Sequence, residues 1–198
     1  SIFYSILGMI PPYKGRLLFN EIDITKKKLS DRAKLGISYL PQEPSIFKDL
    51  TVFENIFATL ELHSKLNEKE LKDYTLEIIN EFSLYKIKDH LGVSLSGGER
   101  RRTEIARVYG SKPKFILLDE PFSGVDPLSI NELKSLITRL NKENIGIIIT
   151  DHNVRETLNI CNTTYVLSQG SIITKGDKEH ILGNEQVKRF YLGENYPH

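Results

Sequence analysis

Two uninterrupted apolar runs in the second half of the chain constrain its fold more than any other feature. Residues 115–118 and 145–149 contain no polar side chain, which is typical of strands buried on both faces of a parallel sheet. Residues 128–141, between the runs, repeat their apolar side chains at helical spacing, so we interpret them as the crossover helix. The sequence therefore predicts an α/β fold built on a parallel sheet.

The rest of the chain adds helices and a small antiparallel β part to this sheet. The other predicted elements are a helix over residues 2–10, strands over 16–19, 22–24 and 36–40, helices within 45–109, a hairpin over 164–168 and 171–174, and a helix over 178–192. We predict one domain, in which an α/β core of residues 1–44 and 110–198 is interrupted by a helical subdomain of residues 45–109.

The charge balance and the length of the apolar runs exclude several classes of protein. With 27 basic and 26 acidic residues, the formal charge is +1, which gives no overall field to attract nucleic acid or anionic lipid. The apolar runs fall far short of the roughly 20 residues that cross a bilayer. The single Cys161 excludes an internal disulfide. We therefore expect a soluble protein in a reducing compartment.

Two carboxylates, Asp119 and Glu120, directly follow the first apolar run. Ligands of open α/β sheets bind beyond the carboxyl ends of the strands, so both side chains are candidates for a nucleotide site. Asp119 can hold a nucleotide-bound Mg²⁺ directly or through water, because this ion prefers hard oxygen ligands. Glu120 can orient and deprotonate an attacking water, which is typically worth roughly 10²–10⁴ in rate. The alternative is that both are solvated charges that end a strand.

His152 and Gln42 follow two other predicted strands. Because His152 comes just after the second apolar run, we expect it at the same sheet edge as Glu120, within reach of a terminal phosphate and the attacking water. Gln42 follows the strand at 36–40, and its amide can touch Mg²⁺ or the water. Taken alone, a histidine after a strand is more often a surface residue, and the expected partnership with Glu120 is what favours a site role for His152. Gln42 by itself is no evidence of a site.

A glycine-rich segment opens a predicted helix that runs to about Val108. Its residues are Ser96, Gly97, Gly98 and Glu99. The serine can cap the helix, and the glycines allow a close backbone approach. Free amide groups and the helix dipole then favour a phosphate at this end. A simple glycine-rich loop before a helix is the alternative.

Two neighbouring features also have ordinary explanations. Asp126 ends a turn after the carboxylate pair, where it can reach another subunit or His152, or simply cap the next helix. The three arginines at 100–102 are better interpreted as a solvated helix face than as a nucleic-acid patch.

No G-x-x-x-x-G-K-[S/T] phosphate loop occurs anywhere in the sequence.

The order of these motifs resembles that of the ATP-binding subunits of ABC transporters, over essentially the whole chain. The resemblance implies a P-loop NTPase (RecA-like) core, an α-helical subdomain, and ATP and Mg²⁺ as cofactors. The implied roles are Q-loop glutamine and metal contact for Gln42, signature motif for Ser96, Gly97, Gly98 and Glu99, Walker B metal ligand for Asp119, catalytic base for Glu120, D-loop residue for Asp126 and switch histidine for His152. It also implies a head-to-tail dimer, in which the signature and Asp126 act largely on the other subunit's nucleotide.

Within this family, residues 39–47, 96–102, 150–157 and 187–194 look like the lipopolysaccharide-export ATPases of Gram-negative bacteria. That similarity implies a cytoplasmic homodimer, peripheral on the inner membrane, which powers lipopolysaccharide extraction and export toward the outer membrane. Two transmembrane permease subunits would bind the region from Gln42 to Phe57. The protein would bind no nucleic acid and would meet the membrane only through these partners.

Three alternatives and one departure accompany this resemblance. A branched-chain amino-acid import ATPase is the nearest alternative. A DNA-repair ATPase is disfavoured by the short insert between Gln42 and Ser96, which has no sustained heptads. A non-catalytic scaffold is disfavoured by the presence of Glu120, Gln42 and His152, which a module that only binds would not need. The departure is the missing phosphate loop, which the family places just before Ser1. We therefore expect a chain truncated at its N-terminus that binds ATP weakly and is inactive alone.

Overall fold

The computed structural model describes residues 2–188, which divide into two units. The first unit ends at Thr150, and the second begins at Asp151. The helices of the first unit are α1 (Ile2–Leu7), α2 (Leu29–Lys34), α3 (Val52–His63), α4 (Glu68–Glu81), α5 (Gly97–Gly110) and α6 (Pro127–Lys142). Its strands are β1 (Leu18–Phe19), β2 (Ile22–Asp23), β3 (Ile37–Leu40), β4 (Phe115–Asp119) and β5 (Gly146–Thr150).

Strands β3, β4 and β5 form the predicted parallel sheet, with β4 in the centre. The register places Leu40 opposite Leu118 and Asp119 opposite Thr150, so the carboxyl ends of all three strands lie at one edge. The centre of β4 is buried as expected. The prediction that β5 is equally buried is wrong, because none of its residues is fully buried and its Ile148 is 38% exposed. Strand β5 lies at one edge of this sheet, opposite β3.

One face of the sheet carries the N-terminal part of the chain. Phe3 and Leu7 of α1 pack with Ile24, Ile37 and Leu117 in one apolar cluster. The helix α1 ends at Leu7, three residues before the predicted end, because Gly8 adopts a left-handed backbone (φ 78°). Helix α2 has no counterpart among the predicted elements.

The predicted helical stretch contains α3, α4 and α5, with short 3₁₀ turns at Tyr85–Ile87 and Gly92–Ser94. Helix α3 packs against both α4 and α5. Each helix begins with a capping box, in which the capping side chain and a glutamate three residues later bond to each other's backbone. These pairs are Thr51 with Glu54, Asn67 with Glu70, and Ser96 with Glu99. The subdomain limits at residues 45 and 109 remain a prediction.

The second unit contains the predicted hairpin and three short helices. Its elements are α7 (Val154–Leu158), β6 (Thr164–Ser168), β7 (Ser171–Gly176), α8 (Lys178–Gly183) and α9 (Glu185–Val187). Leu158, Ile181 and Val187 form its core. The predicted terminal helix is interrupted at Asn184, whose side chain caps α9. Its remainder, and residues 189–194 of the fourth similar segment, lie outside the described residues. Within residues 2–188 no helix is both long and apolar enough to cross a membrane.

Candidate functional site

The carboxyl ends of β3 and β4 bring Gln42 and Glu120 into direct contact. The amide Nε2 of Gln42 donates a hydrogen bond of 2.8 Å to Oε2 of Glu120. The two residues are 78 positions apart in the chain, so the parallel register of the sheet brings them together. This contact joins two of the side chains that the sequence selected as catalytic.

The carboxylate of Asp119 is oriented by two hydroxyl groups. Its Oδ2 accepts from Tyr39 Oη at 3.0 Å, and its Oδ1 accepts from Thr150 Oγ1 at 2.5 Å. Burial, followed by the hydrogen bond to Asp119, raises the pKa of Tyr39. The phenol therefore keeps its proton and remains a donor. Each carboxylate oxygen has lone pairs left for a further ligand.

Glu120 has a backbone conformation that side-chain-bearing residues rarely adopt. Its φ is 43°, and its amide donates to the carbonyl of Thr150 at 2.7 Å. Such a conformation costs on the order of 1–3 kcal/mol and is found most often at functional sites. The left-handed residue turns the chain out of β4 directly at the candidate base.

Arg101 is a site residue that the sequence interpretation missed. The prediction of a solvated arginine face is wrong at this position, because Arg101 is 6% exposed. Its guanidinium donates to the carbonyls of Pro41 and Asp119, both at 2.8 Å, and pairs with Glu104. Burial lowers the pKa of Arg101, and the charge of Glu104 opposes this shift. A glutamate three residues after an arginine on one helix is the only sequence signal of this arrangement.

The glycine-rich segment starts α5 as predicted, with Ser96 as the N-cap. The Oε2 of Glu99 accepts from the backbone and hydroxyl of Ser96, at 2.9 and 2.8 Å. These bonds lower the pKa of Glu99. A Cβ on Gly97 would lie 2.7 Å from the Gly124 carbonyl, and one on Gly98 would lie 2.2 Å from Ser129 Oγ. Gly97 therefore permits close packing against the turn that follows β4, and Gly98 permits it against the first turn of α6.

Asp126 lies at the end of that turn and caps α6. Its Oδ1 accepts from the amide of Ser129 at 3.0 Å, and hydrogen bonding to Ser129 lowers its pKa. Within the chain, Asp126 therefore caps the next helix, which is the alternative interpretation of this residue. Its predicted role toward another subunit remains a prediction.

His152 belongs to the second unit, where it is exposed and precedes α7. The neighbouring Asp151 accepts a hydrogen bond of 2.7 Å from the amide of Asn153, which caps α7. The predicted partnership of His152 with Glu120 remains a prediction.

Comparison with known proteins assigns this site to a family. The sequence profile of the ABC transporter family matches residues 1–123. The lipopolysaccharide export system ATP-binding protein LptB of Haemophilus influenzae is 48% identical over 99% of this chain and 81% of its own length. The protein of the same name from Escherichia coli is 47% identical over the same shares. This chain belongs to the ABC transporter family. A solved ATP-binding cassette of an ABC transporter, in its ADP conformation, matches this ABC transporter ATPase with a TM-score of 0.86 and 28% identity, over 98% of this chain and 82% of the other.

The family membership confirms the predicted fold class and the predicted ATPase activity. As an ABC transporter ATPase, the protein binds ATP, and domains of this family function as dimers with transmembrane partners. The donor set fits a nucleotide-bound Mg²⁺. Among the described residues, no three His, Cys, Asp or Glu side chains gather into a metal cluster. Such an ion needs only one or two carboxylates, because phosphates and waters complete its shell, and Asp119 meets that need.

Proposed function

We propose that this chain is the ATP-hydrolysing subunit of a lipopolysaccharide exporter. The observation that carries the proposal is the 47–48% identity to lipopolysaccharide export ATP-binding proteins along 99% of the chain. The import and DNA-repair alternatives are not favoured by these relatives.

Hydrolysis in this proposal depends on the contacts at the strand ends. Asp119 would hold Mg²⁺, which would supply positive charge beside the phosphates. Glu120 takes a proton from the attacking water. Gln42 orients the carboxylate of Glu120 through the 2.8 Å hydrogen bond between the two side chains. His152 contacts the terminal phosphate and the water. These roles use hard oxygen donors and a general base, as phosphoryl transfer to water requires.

The signature segment acts on the nucleotide of a second copy of this chain. Gly97 and Gly98 place backbone amides at the N-terminus of α5, where Ser96 is the N-cap, and this favours a terminal phosphate. Glu99 orders this helix end through its bonds to Ser96. Asp126, on the turn that packs against the glycines, faces the same partner.

The permease subunits bind the region from Gln42 to Phe57. The side chain of Phe47 is 47% exposed and lies against the guanidinium of Arg107, 4.3 Å from the ring centre. Phe53 and Phe57 stack on each other with ring centres 5.7 Å apart. Partly exposed aromatic side chains of this kind are typical anchors of protein interfaces. The homodimer then lies on the cytoplasmic face of the inner membrane and meets it only through the permeases.

Reconstitution of the complete transporter tests the cargo. The full-length protein and its two permeases are placed in vesicles that contain lipopolysaccharide, and its transfer to an external acceptor is measured with and without ATP. The proposal expects ATP-dependent transfer that Glu120→Gln abolishes and that the surface control Glu68→Gln retains. Vesicles that move branched-chain amino acids but no lipopolysaccharide would refute the export assignment.

A further inference from the structure

Arg101 and Glu104 form a buried ion pair on α5. Arg101 is 6% exposed and Glu104 is 2% exposed, and Nη1 of the arginine lies 3.2 Å from Oε2 of the glutamate. A buried pair must offset the desolvation of both charges, so it is a weak source of stability. Its position beside Gln42 and Glu120 indicates a different role, which is to hold these site residues in place.

The guanidinium of Arg101 joins β3 and β4 at the point where their hydrogen-bond ladder ends. The last paired residues are Leu40 and Leu118. The next residue after β3 is Pro41, which has no N–H with which to continue the ladder. Arg101 supplies donors instead, to the carbonyls of Pro41 and Asp119. One planar group therefore bridges the two strand ends.

Each of these two carbonyls belongs to the peptide unit that precedes a site residue. The unit between Asp119 and Glu120 is held at both ends, because its carbonyl accepts from Arg101 and its N–H donates to Thr150. Since a peptide unit is planar, holding both ends fixes the direction in which the chain leaves β4. The carbonyl of Pro41 is held in the same way before Gln42.

Glu104 holds the other end of the Gln42 segment. Its Oε1 accepts from the amides of Ser45 and Ile46, at 2.6 and 3.1 Å. Residues 41–46 are thus fastened to α5 at both ends, and α5 begins with the glycine-rich signature. One helix therefore contacts the backbone beside both Gln42 and Glu120.

We propose that Arg101 and Glu104 are a positioning pair for ATP hydrolysis, which keeps Gln42 and Glu120 in contact and fastens the backbone beside both residues to the signature helix. The inference rests on the proposed function, because it takes Glu120 as the general base. Arg101 acts through two carbonyl groups rather than on the reacting atoms.

The test compares Arg101→Lys and Glu104→Gln with wild type in the reconstituted transporter. A lysine ammonium lacks the planar fork that bridges the two carbonyls. We expect kcat to fall roughly tenfold, as for loss of a hydrogen bond to a charged group. The KM for ATP should stay within about twofold, because ground-state binding is untouched. The matched control is Arg102→Gln on the same helix, since Arg102 pairs with Glu132 of α6 instead. It should keep wild-type kinetics.

A second measurement separates positioning from structural support. In a Glu120→Gln background, Arg101→Lys should leave binding of a fluorescent ATP analogue unchanged. Wild-type kcat in both Arg101→Lys and Glu104→Gln would overturn the inference, as would a rise in KM alone or loss of folded protein in both variants. If Glu120→Gln itself turns over ATP normally, the proposed function fails instead. If Glu120→Gln is impaired but Arg101→Lys and Glu104→Gln turn over ATP at the wild-type rate, only the positioning role of the pair is refuted.

Discussion

Replacement of Gly98 by alanine should destabilise the protein through one identifiable contact. The new Cβ would lie 2.2 Å from Oγ and 2.4 Å from Cβ of Ser129. Ser129 is in the first turn of α6, and its amide is bonded to Asp126, so it cannot easily move away. Overpacking of this kind typically costs about 1–3 kcal/mol. For a protein of this size, a loss of about 2 kcal/mol lowers the melting temperature by roughly 4–8 °C.

A second substitution that removes the clashing atoms should restore the stability lost in Gly98→Ala. Ser129→Gly removes both clashing atoms but keeps the amide that caps with Asp126. Alone, this change should cost about 0.5–1 kcal/mol, because glycine weakens a helix. In the Gly98→Ala background it should instead restore stability, with a coupling free energy of about 1–2 kcal/mol. Ser129→Ala should restore less, because it removes only Oγ.

Urea unfolding of the four proteins of this double-mutant cycle measures the coupling. The control is Gly183→Ala at the end of α8, where no atom lies within 4 Å of the new Cβ. A Gly98→Ala protein as stable as Gly183→Ala, or a double variant no more stable than Gly98→Ala, would refute the packing argument. If stability returns in the double variant but ATP turnover does not, Gly98 has a second role in approaching the phosphate.

Three further predictions use single side chains. Asn67→Ala removes the cap of α4 and should lower the free energy of unfolding by about 1 kcal/mol. ATP turnover should stay at the wild-type level. An unchanged midpoint of urea unfolding would contradict this prediction. Burial and the charges of Glu81 and Glu143 raise the pKa of Tyr109 from 10 to about 12, so stability present below pH 10 should be lost as the pH rises through 12. Tyr109→Phe should reduce this loss of stability. If the stability of Tyr109→Phe depends on pH as that of the wild type does, this role of Tyr109 is contradicted. Tyr39→Phe should raise the Mg²⁺ concentration for half-maximal turnover about two- to tenfold, since Asp119 loses a donor; an unchanged Mg²⁺ titration would contradict its orienting role.

The features that sequence could predict are those with local signals. The first apolar run predicted β4, the helical spacing of residues 128–141 predicted the crossover α6, and Ser96 before two glycines predicted the start of α5. The burial of Arg101 had only the weak local signal of Glu104 three residues later, because its carbonyl partners come from two strand ends that only the tertiary fold brings together. The left-handed backbone of Glu120 likewise depends on its neighbours across the sheet.

Helix α2 was missed for a similar reason. Its sequence is mostly polar, and its first residue, Leu29, is 46% exposed, so no apolar period marks it. It is held instead by the buried Arg32, which donates to the carbonyls of Ser5, Ile6, Thr25 and Lys27. A buried arginine with backbone partners is a tertiary feature, and sequence periodicity does not register it.

Single-turnover hydrolysis of radiolabelled ATP by the complete transporter tests the central claim most directly. If Glu120 is the general base, Glu120→Gln should slow phosphate release by roughly 10²–10⁴ while ATP stays bound. The surface control Glu68→Gln should release phosphate at the wild-type rate. Phosphate release by Glu120→Gln at the wild-type rate would contradict the account, because the carboxylate held by Gln42 would then have no part in the chemistry.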